Sequence, residues 1–305
     1  MNLANIWRRL IQDPPPAFVF EVSPAGIAWA RLGKTIENGF RPLPPDVLSV
    51  SPVKDNVLKP DVLLTEVQSL APVNGSPGKG KGAAKKIRPA ALILPDYCAR
   101  VAVLDFDAFP ADPSEQLSLV RFRMKKSVPF DVDSAAVGYQ VQNAGGNGRK
   151  YEVVAAVVAI EIVARYEAPF RSAGFHPGLV TTSMMAALNL APAGSLAVAA
   201  KLSERVLTLA VAESRRLKLL RCVELGEATT EEVMGILFPT LAYAEDELGA
   251  RPDKLLVTGF GSLGEGIAAE CASSLALTVE PLRSRLGAPG ASNAGLLGYL
   301  ESRGA

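Results

Sequence analysis

The feature that most constrains this chain occurs twice. Residues 17–22 and 26–32 alternate apolar and polar side chains across the short turn Ser23-Pro24-Ala25, and a third such run ends near Phe40. Residues 195–203, 205–213 and 215–224 repeat the arrangement: three strands joined by turns too short for anything but antiparallel neighbours. An amphipathic helix follows each meander, from Pro60 in the first half and from Thr230 to about Leu248 in the second. An apolar strand comes after each helix, at 90–95 and in KLLVTGFGS. Meander, helix and strand, met twice in 305 residues, predict two related α/β domains with a cleft between them.

Between the halves lies a different unit. Asp112 is placed to cap a helix that Pro113 opens and Lys125 and Lys126 close. A glycine-asparagine turn joins 135–143 to 151–160 as a hairpin, and a helix covers about 161–173. The runs 90–95 and 99–106 are expected to be neighbouring strands of one sheet. Residues 17–111 with 174–194 are read as the first domain, 112–173 as an inserted subdomain and 195–305 as the second domain. Residues 73–88, rich in glycine, lysine and serine, are expected to be a solvated loop. Its GKGKG lacks both the spacing and the preceding strand of a phosphate-binding loop.

Several function classes drop out on composition. Lys and Arg total 32 against 31 Asp and Glu, so there is no general attraction to nucleic acid or anionic lipid. No apolar run reaches the roughly 20 residues of a spanning helix, and the N-terminus lacks the order of a secretory signal. A cytoplasmic protein is expected. Segment 1–16 carries Leu3, Ile6, Trp7, Leu10 and Ile11 at helical spacing with Arg8 and Arg9, which suits either a membrane or partner surface, or a helix folded onto its own domain. Cys98, Cys222 and Cys271 have no metal-ligand spacing, so no metal site is expected. The single histidine, His176, stands before Pro177 and Gly178 and supports no catalytic triad.

One stretch is more specific. LPDYCARVAVLDFDAFPADPSEQLSLVRFRMKKSVPFDVDSAAVGYQV, residues 94–141, resembles the type IV pilus assembly protein PilM family in its ordered "LP", "LDFD", basic helix, "PFDVD" and "YQV". That resemblance implies duplicated actin-like (ribonuclease H-like) domains, with a small helix-hairpin-helix insert of the kind PilM shares with the cell-division protein FtsA. It implies a cytosolic protein held at the inner membrane by the N-terminal tail of a PilN-like bitopic protein, within a PilN-PilO platform; a homo-oligomer is left open. Arg121, Arg123, Lys126, Pro129 and Phe130 are the candidates for that partner surface.

The same resemblance locates a nucleotide cleft. Actin-like ATPases hold phosphates between two hairpins, each with an aspartate for Mg²⁺ and a glycine for close backbone approach. Here the first hairpin offers Glu21, Ser23 and Gly26, with proline at position 24 removing an N–H. The second offers Lys201 and Ser203 without aspartate or glycine. A glycine turn at Gly259 and Gly261 follows the strand on the adenosine side. These residues imply an adaptor with a degenerate site, no catalytic residues and no cofactor, with ATP and Mg²⁺ disfavoured. The alternatives are a working actin-like ATPase driving pilus assembly or polymerisation, and the cytoplasmic actin-like component of a type II secretion system. A sugar or acyl kinase is disfavoured because its catalytic aspartate has no counterpart.

Overall fold

A computed structural model describes residues 15–71, 88–146, 149–192, 194, 196–214, 216–249, 251–252 and 254–303. The amphipathic pattern of segment 1–16 and all but the last residue of the 73–88 loop lie outside the described residues. In the first sheet β1 (Phe18–Ser23), β2 (Gly26–Leu32) and β3 (Ile36–Pro42) form the antiparallel meander. The strands β4 (Arg88–Leu94) and β8 (Phe175–Thr182) then add in parallel, giving the order β3-β2-β1-β4-β8.

The second sheet obeys the same rule. Its meander is β9 (Leu196–Ser203), β10 (Val206–Glu213) and β11 (Arg216–Glu224), and β12 (Lys254–Thr258) and β13 (Thr278–Pro281) extend it in parallel. The order is β11-β10-β9-β12-β13. The expected duplication is therefore present strand for strand.

Period-two patterning decides what each face of β1 and β9 meets. Phe18, Phe20 and Val22 point to helices α1 (Pro60–Leu70) and α3 (Ile160–Ser172), packing with Leu63, Val67, Ile162, Tyr166 and Phe170. Val19, on the opposite face of β1, packs with Leu296 and Leu300 of the C-terminal helix α7 (Ala294–Ser302). In the second domain Val198, Ala200 and Leu202 face the core that helices α5 (Thr230–Leu248) and α6 (Gly264–Leu275) cover. Ala197 and Ala199, on the other face, pack against Met184, Ala187 and Ala294, which makes that face of β9 the seam between the domains. Glu21 shares the face of Val19, and Lys201 that of Ala197 and Ala199. Strand alternation alone thus sends both charged residues inward.

The insert has its own three-stranded sheet, in which β5 (Arg100–Phe106) pairs with β7 (Arg149–Ala159) and β7 with β6 (Ala135–Gly146). This corrects the expectation that 90–95 and 99–106 lie side by side. Both sides of β4 are already taken, by β1 and β8, and the single helical turn at Asp96–Cys98 redirects the chain out of the first sheet. The helix α2 (Pro113–Met124) covers the new sheet. Asp112 caps it as expected, accepting from the N–H groups of Ser114 at 2.9 Å and Glu115 at 3.1 Å. Val120 and Met124 are buried beneath it, whereas Phe122 on the same helix is 72% exposed. Although α3 ends the 112–173 span, it packs in the core of the first domain.

Candidate functional site

Two carboxylates and one ammonium meet where β1, the turn after β4 and β9 come together. Glu21 is buried near the end of β1. One of its oxygens accepts from the Ser183 hydroxyl, and Oε2 accepts at 2.7 Å from the N–H of Leu296. Leu296 is the third residue of α7, so the carboxylate satisfies an orphan donor at the positive end of that helix. Burial pushes the Glu21 carboxyl above its usual range, opposed by the Lys201 ammonium, the Ser183 hydroxyl and the Leu296 N–H.

Asp96 does the equivalent from the turn after β4. Its Oδ1 accepts at 2.6 Å from the N–H of Met184, the second residue of the short helix α4 (Ser183–Ala187). Its Oδ2 accepts from Lys201 Nζ at 2.8 Å and from the Thr208 hydroxyl at 3.3 Å. The side chains of Lys201 and Asp96 are only 3% and 2% exposed, so this is a fully desolvated ion pair. It joins the second domain to the first.

The two hairpin turns close on themselves. Ser23 Oγ accepts from the Gly26 N–H at 3.3 Å and donates to the Gly26 carbonyl at 3.0 Å. With a proline at 24, the first turn has little backbone N–H left to offer an anion. Gly26 itself answers to packing, since a Cβ there would lie 2.4 Å from the Arg41 carbonyl. In the second turn Glu204 takes a left-handed backbone at φ 53°. Arg205 folds back onto the end of β11 and the turn beyond it, reaching the Glu224 carboxylate at 3.0 Å and the Gly226 carbonyl at 3.1 Å.

Four of the seven nucleotide-site candidates, Glu21, Ser23, Lys201 and Ser203, line one cavity of about 180 Å³ between the hairpins, with Asp96 and Glu204. That is smaller than the roughly 300–1,000 Å³ of ordinary small-molecule pockets. Gly26, Gly259 and Gly261 do not line it. Gly259 has a separate cause: at φ 81° its Cβ would sit 2.1 Å from the Leu202 carbonyl, so glycine lets the turn after β12 pass the second hairpin. Within the cavity the Lys201 ammonium is paired with Asp96 and the Arg205 guanidinium with Glu224, and Glu204 adds a carboxylate at the rim. Among the described residues no group of three or more His, Cys, Asp or Glu could hold a metal ion.

Asp96, Ser183 and Thr208 are members of this cluster that sequence reading missed. The only local signal was the placement of Asp96 after "LP", which reads equally as a turn. Thiol chemistry finds no support beside it. Burial pushes the Cys98 thiol far up and that of Cys222 up to about 12, which leaves both protonated.

The five partner-surface candidates divide. Arg121 donates to the carbonyls of Val132, of Asp133 at 2.8 Å and of Ala135 at 3.3 Å, pinning the loop after α2. Arg123 reaches the Asp105 carbonyl at 3.2 Å and lies 5.1 Å over the Phe106 ring. Lys126 is exposed. Pro129 and Phe130 line a second cavity of about 150 Å³ with Pro52, Tyr97, Arg100 and Leu220, where the insert meets both domains. Among the described residues no helix is long and apolar enough to cross a membrane.

No protein-family model matches this chain, and no curated protein matches it. Solved structures do. A structure described as a PilM-PilN type IV pilus biogenesis complex is similar with a TM-score of 0.69 at 16% identity, covering 94% of this chain and 98% of the other. A Bacteroides thetaiotaomicron protein with actin-like ATPase fold and unknown function is similar with a TM-score of 0.56 at 13% identity, covering 92% and 94%. Likeness at these identities is likeness of fold. With its two matching sheets, inserted subdomain and cleft between paired hairpins, this chain has the actin-like ATPase fold, in the form that the PilM-PilN complex shares along nearly its whole length.

Proposed function

We propose that this protein is a PilM-like adaptor of a type IV pilus assembly complex, which binds the N-terminal tail of a PilN-like membrane protein and does not turn over ATP. The carrying observation is the cluster in the cleft. The groups that would meet a phosphate or a metal ion are engaged inside the protein: Lys201 with Asp96, Glu21 with the end of α7, Ser23 with Gly26. A chain whose cleft is filled in this way works through its surfaces.

Likeness to the PilM-PilN complex over nearly the whole chain supports the class of partner. Pro129 and Phe130 supply apolar wall at the junction of insert and domains, with Arg100 beside them for a polar or acidic peptide group. The proposed location is the cytoplasmic side of the inner membrane, reached through the partner. Residues 1–13 and a PilO-like protein are further proposed contacts.

Two titrations test this reading. Cytoplasmic-tail peptides from bitopic proteins encoded beside this chain should bind, and Phe130→Ala should weaken the binding. Magnesium ATP should leave the melting temperature unchanged. Clear stabilisation by magnesium ATP together with phosphate release would replace the adaptor by an actin-like ATPase, and failure of every tail peptide would remove the PilN-like partner.

A further inference from the structure

We infer that the buried Asp96–Lys201 pair is an interdomain latch, an internal cation that holds the cleft closed without any ligand. Asp96 stands on the first domain and Lys201 in β9 of the second, with Nζ and Oδ2 2.8 Å apart. Thr208 of β10 donates to the same oxygen, so two adjacent strands of the second domain converge on one carboxylate of the first. Neither partner is free to follow the other if the domains separate. Asp96 is tied through Oδ1 to the N–H of Met184, and Lys201 is held in mid-strand, hydrogen-bonded between β10 and β12.

Beyond this pair the seam is apolar, with Ala197, Ala199, Ala210, Leu217, Leu220 and Leu256 of the second domain packed with Met184 and Ala187 of the first and with Val101 and Val154 of the insert. Apolar burial is non-directional. A desolvated ion pair is directional, and opening must either separate the charges in a poorly solvated crevice or flood it with water. At the other end of the seam the Gln142 amide of the insert exchanges two hydrogen bonds with the Leu217 backbone of β11, at 2.8 and 2.7 Å. The Lys218–Glu152 ion pair at 2.8 Å adds to this tie between the insert and the second domain, so Asp96–Lys201 is the charged contact at the floor of the cleft.

Hydrogen exchange followed by mass spectrometry tests the latch on the full chain, comparing the parent with Lys201→Met and with Asp96→Asn/Lys201→Met. The double variant keeps an oxygen for the Met184 N–H and removes both charges, so it serves where the single one fails to fold. Expected is faster exchange at the amides of β9, β10 and residues 96–98, about fivefold in the double variant and about a hundredfold in Lys201→Met, with β3 and β13 at the far sheet edges unchanged. Parental exchange in both variants overturns the latch, and so does a uniform rise over both sheets, which marks general destabilisation. Magnesium ATP is added to the parent as a control. A change in seam exchange with nucleotide overturns the latch, whereas a higher melting temperature with seam exchange unaltered removes only the adaptor's nucleotide-free character.

Discussion

Lys201→Met is the perturbation whose consequence is clearest. Methionine keeps most of the length and apolar volume of lysine, so the cavity term is small and the loss is that of the charge. Asp96 then remains 2% exposed with two neutral donors, the Met184 N–H and the Thr208 hydroxyl, in place of three partners. Removing one partner of a buried pair costs about 3–5 kcal/mol, and the two surviving hydrogen bonds favour the lower end, about 3 kcal/mol. At ~2–4 °C per kcal/mol for large domains, that is a fall of roughly 6–12 °C in melting temperature. Asp96→Asn/Lys201→Met leaves no bare charge and should recover all but about 1 kcal/mol, the worth of a neutral hydrogen bond. Urea denaturation at neutral pH measures both variants, and the cycle through Asp96→Asn isolates the coupling. If Lys201→Met lies within about 0.5 kcal/mol of the parent, the range of an ordinary surface change, the pair does not hold the seam and the reasoning fails.

Other expectations concern titration and the basic helix. Because burial raises the folded-state pKa of Glu21 above its unfolded value, the stability this acid contributes is present below about pH 4.5 and is lost as pH rises through the folded value. Glu21→Gln should therefore gain on the parent between pH 4 and pH 8 in a series of denaturation curves; parallel curves would mean that the carboxylate is not held in an unfavourable site. Arg121→Ala loses a guanidinium shared by three carbonyls and should cost about 1.5–3 kcal/mol. Lys126→Ala should stay within about 0.5 kcal/mol of the parent, since its side chain is solvated. Equal melting temperatures for these two variants would contradict the division of the basic helix into a structural and a free part.

Much of the architecture was legible because its signals are local. Each strand of both meanders announces itself by alternation and by a turn too short to allow another pairing. The Asp112-Pro113 start of α2 needs only three residues of context. Strand β5 was misplaced because nothing in ARVAVLDF records that β4 already has neighbours on both sides; sheet membership is decided by segments far away in the chain. The site was half legible for the same reason. Glu21, Ser23, Lys201 and Ser203 were reached through the hairpins that carry them, but Asp96 lay in a turn with no periodic signal.

Alternation in β1 and β9 determined by itself that Glu21 and Lys201 point the opposite way from Phe20 and Ala200. That consequence belongs to the two-residue repeat of any extended strand. The surroundings of those faces were decided only by tertiary structure. The docking of two sheets brings two carboxylates, an ammonium and two helix ends together, although they come from residues 21, 96, 183, 184, 201 and 296. Read from sequence, Lys201 is a candidate for the nucleotide cleft. Once water is excluded and Asp96 supplies the countercharge, the same lysine becomes the bond between the two halves of the molecule.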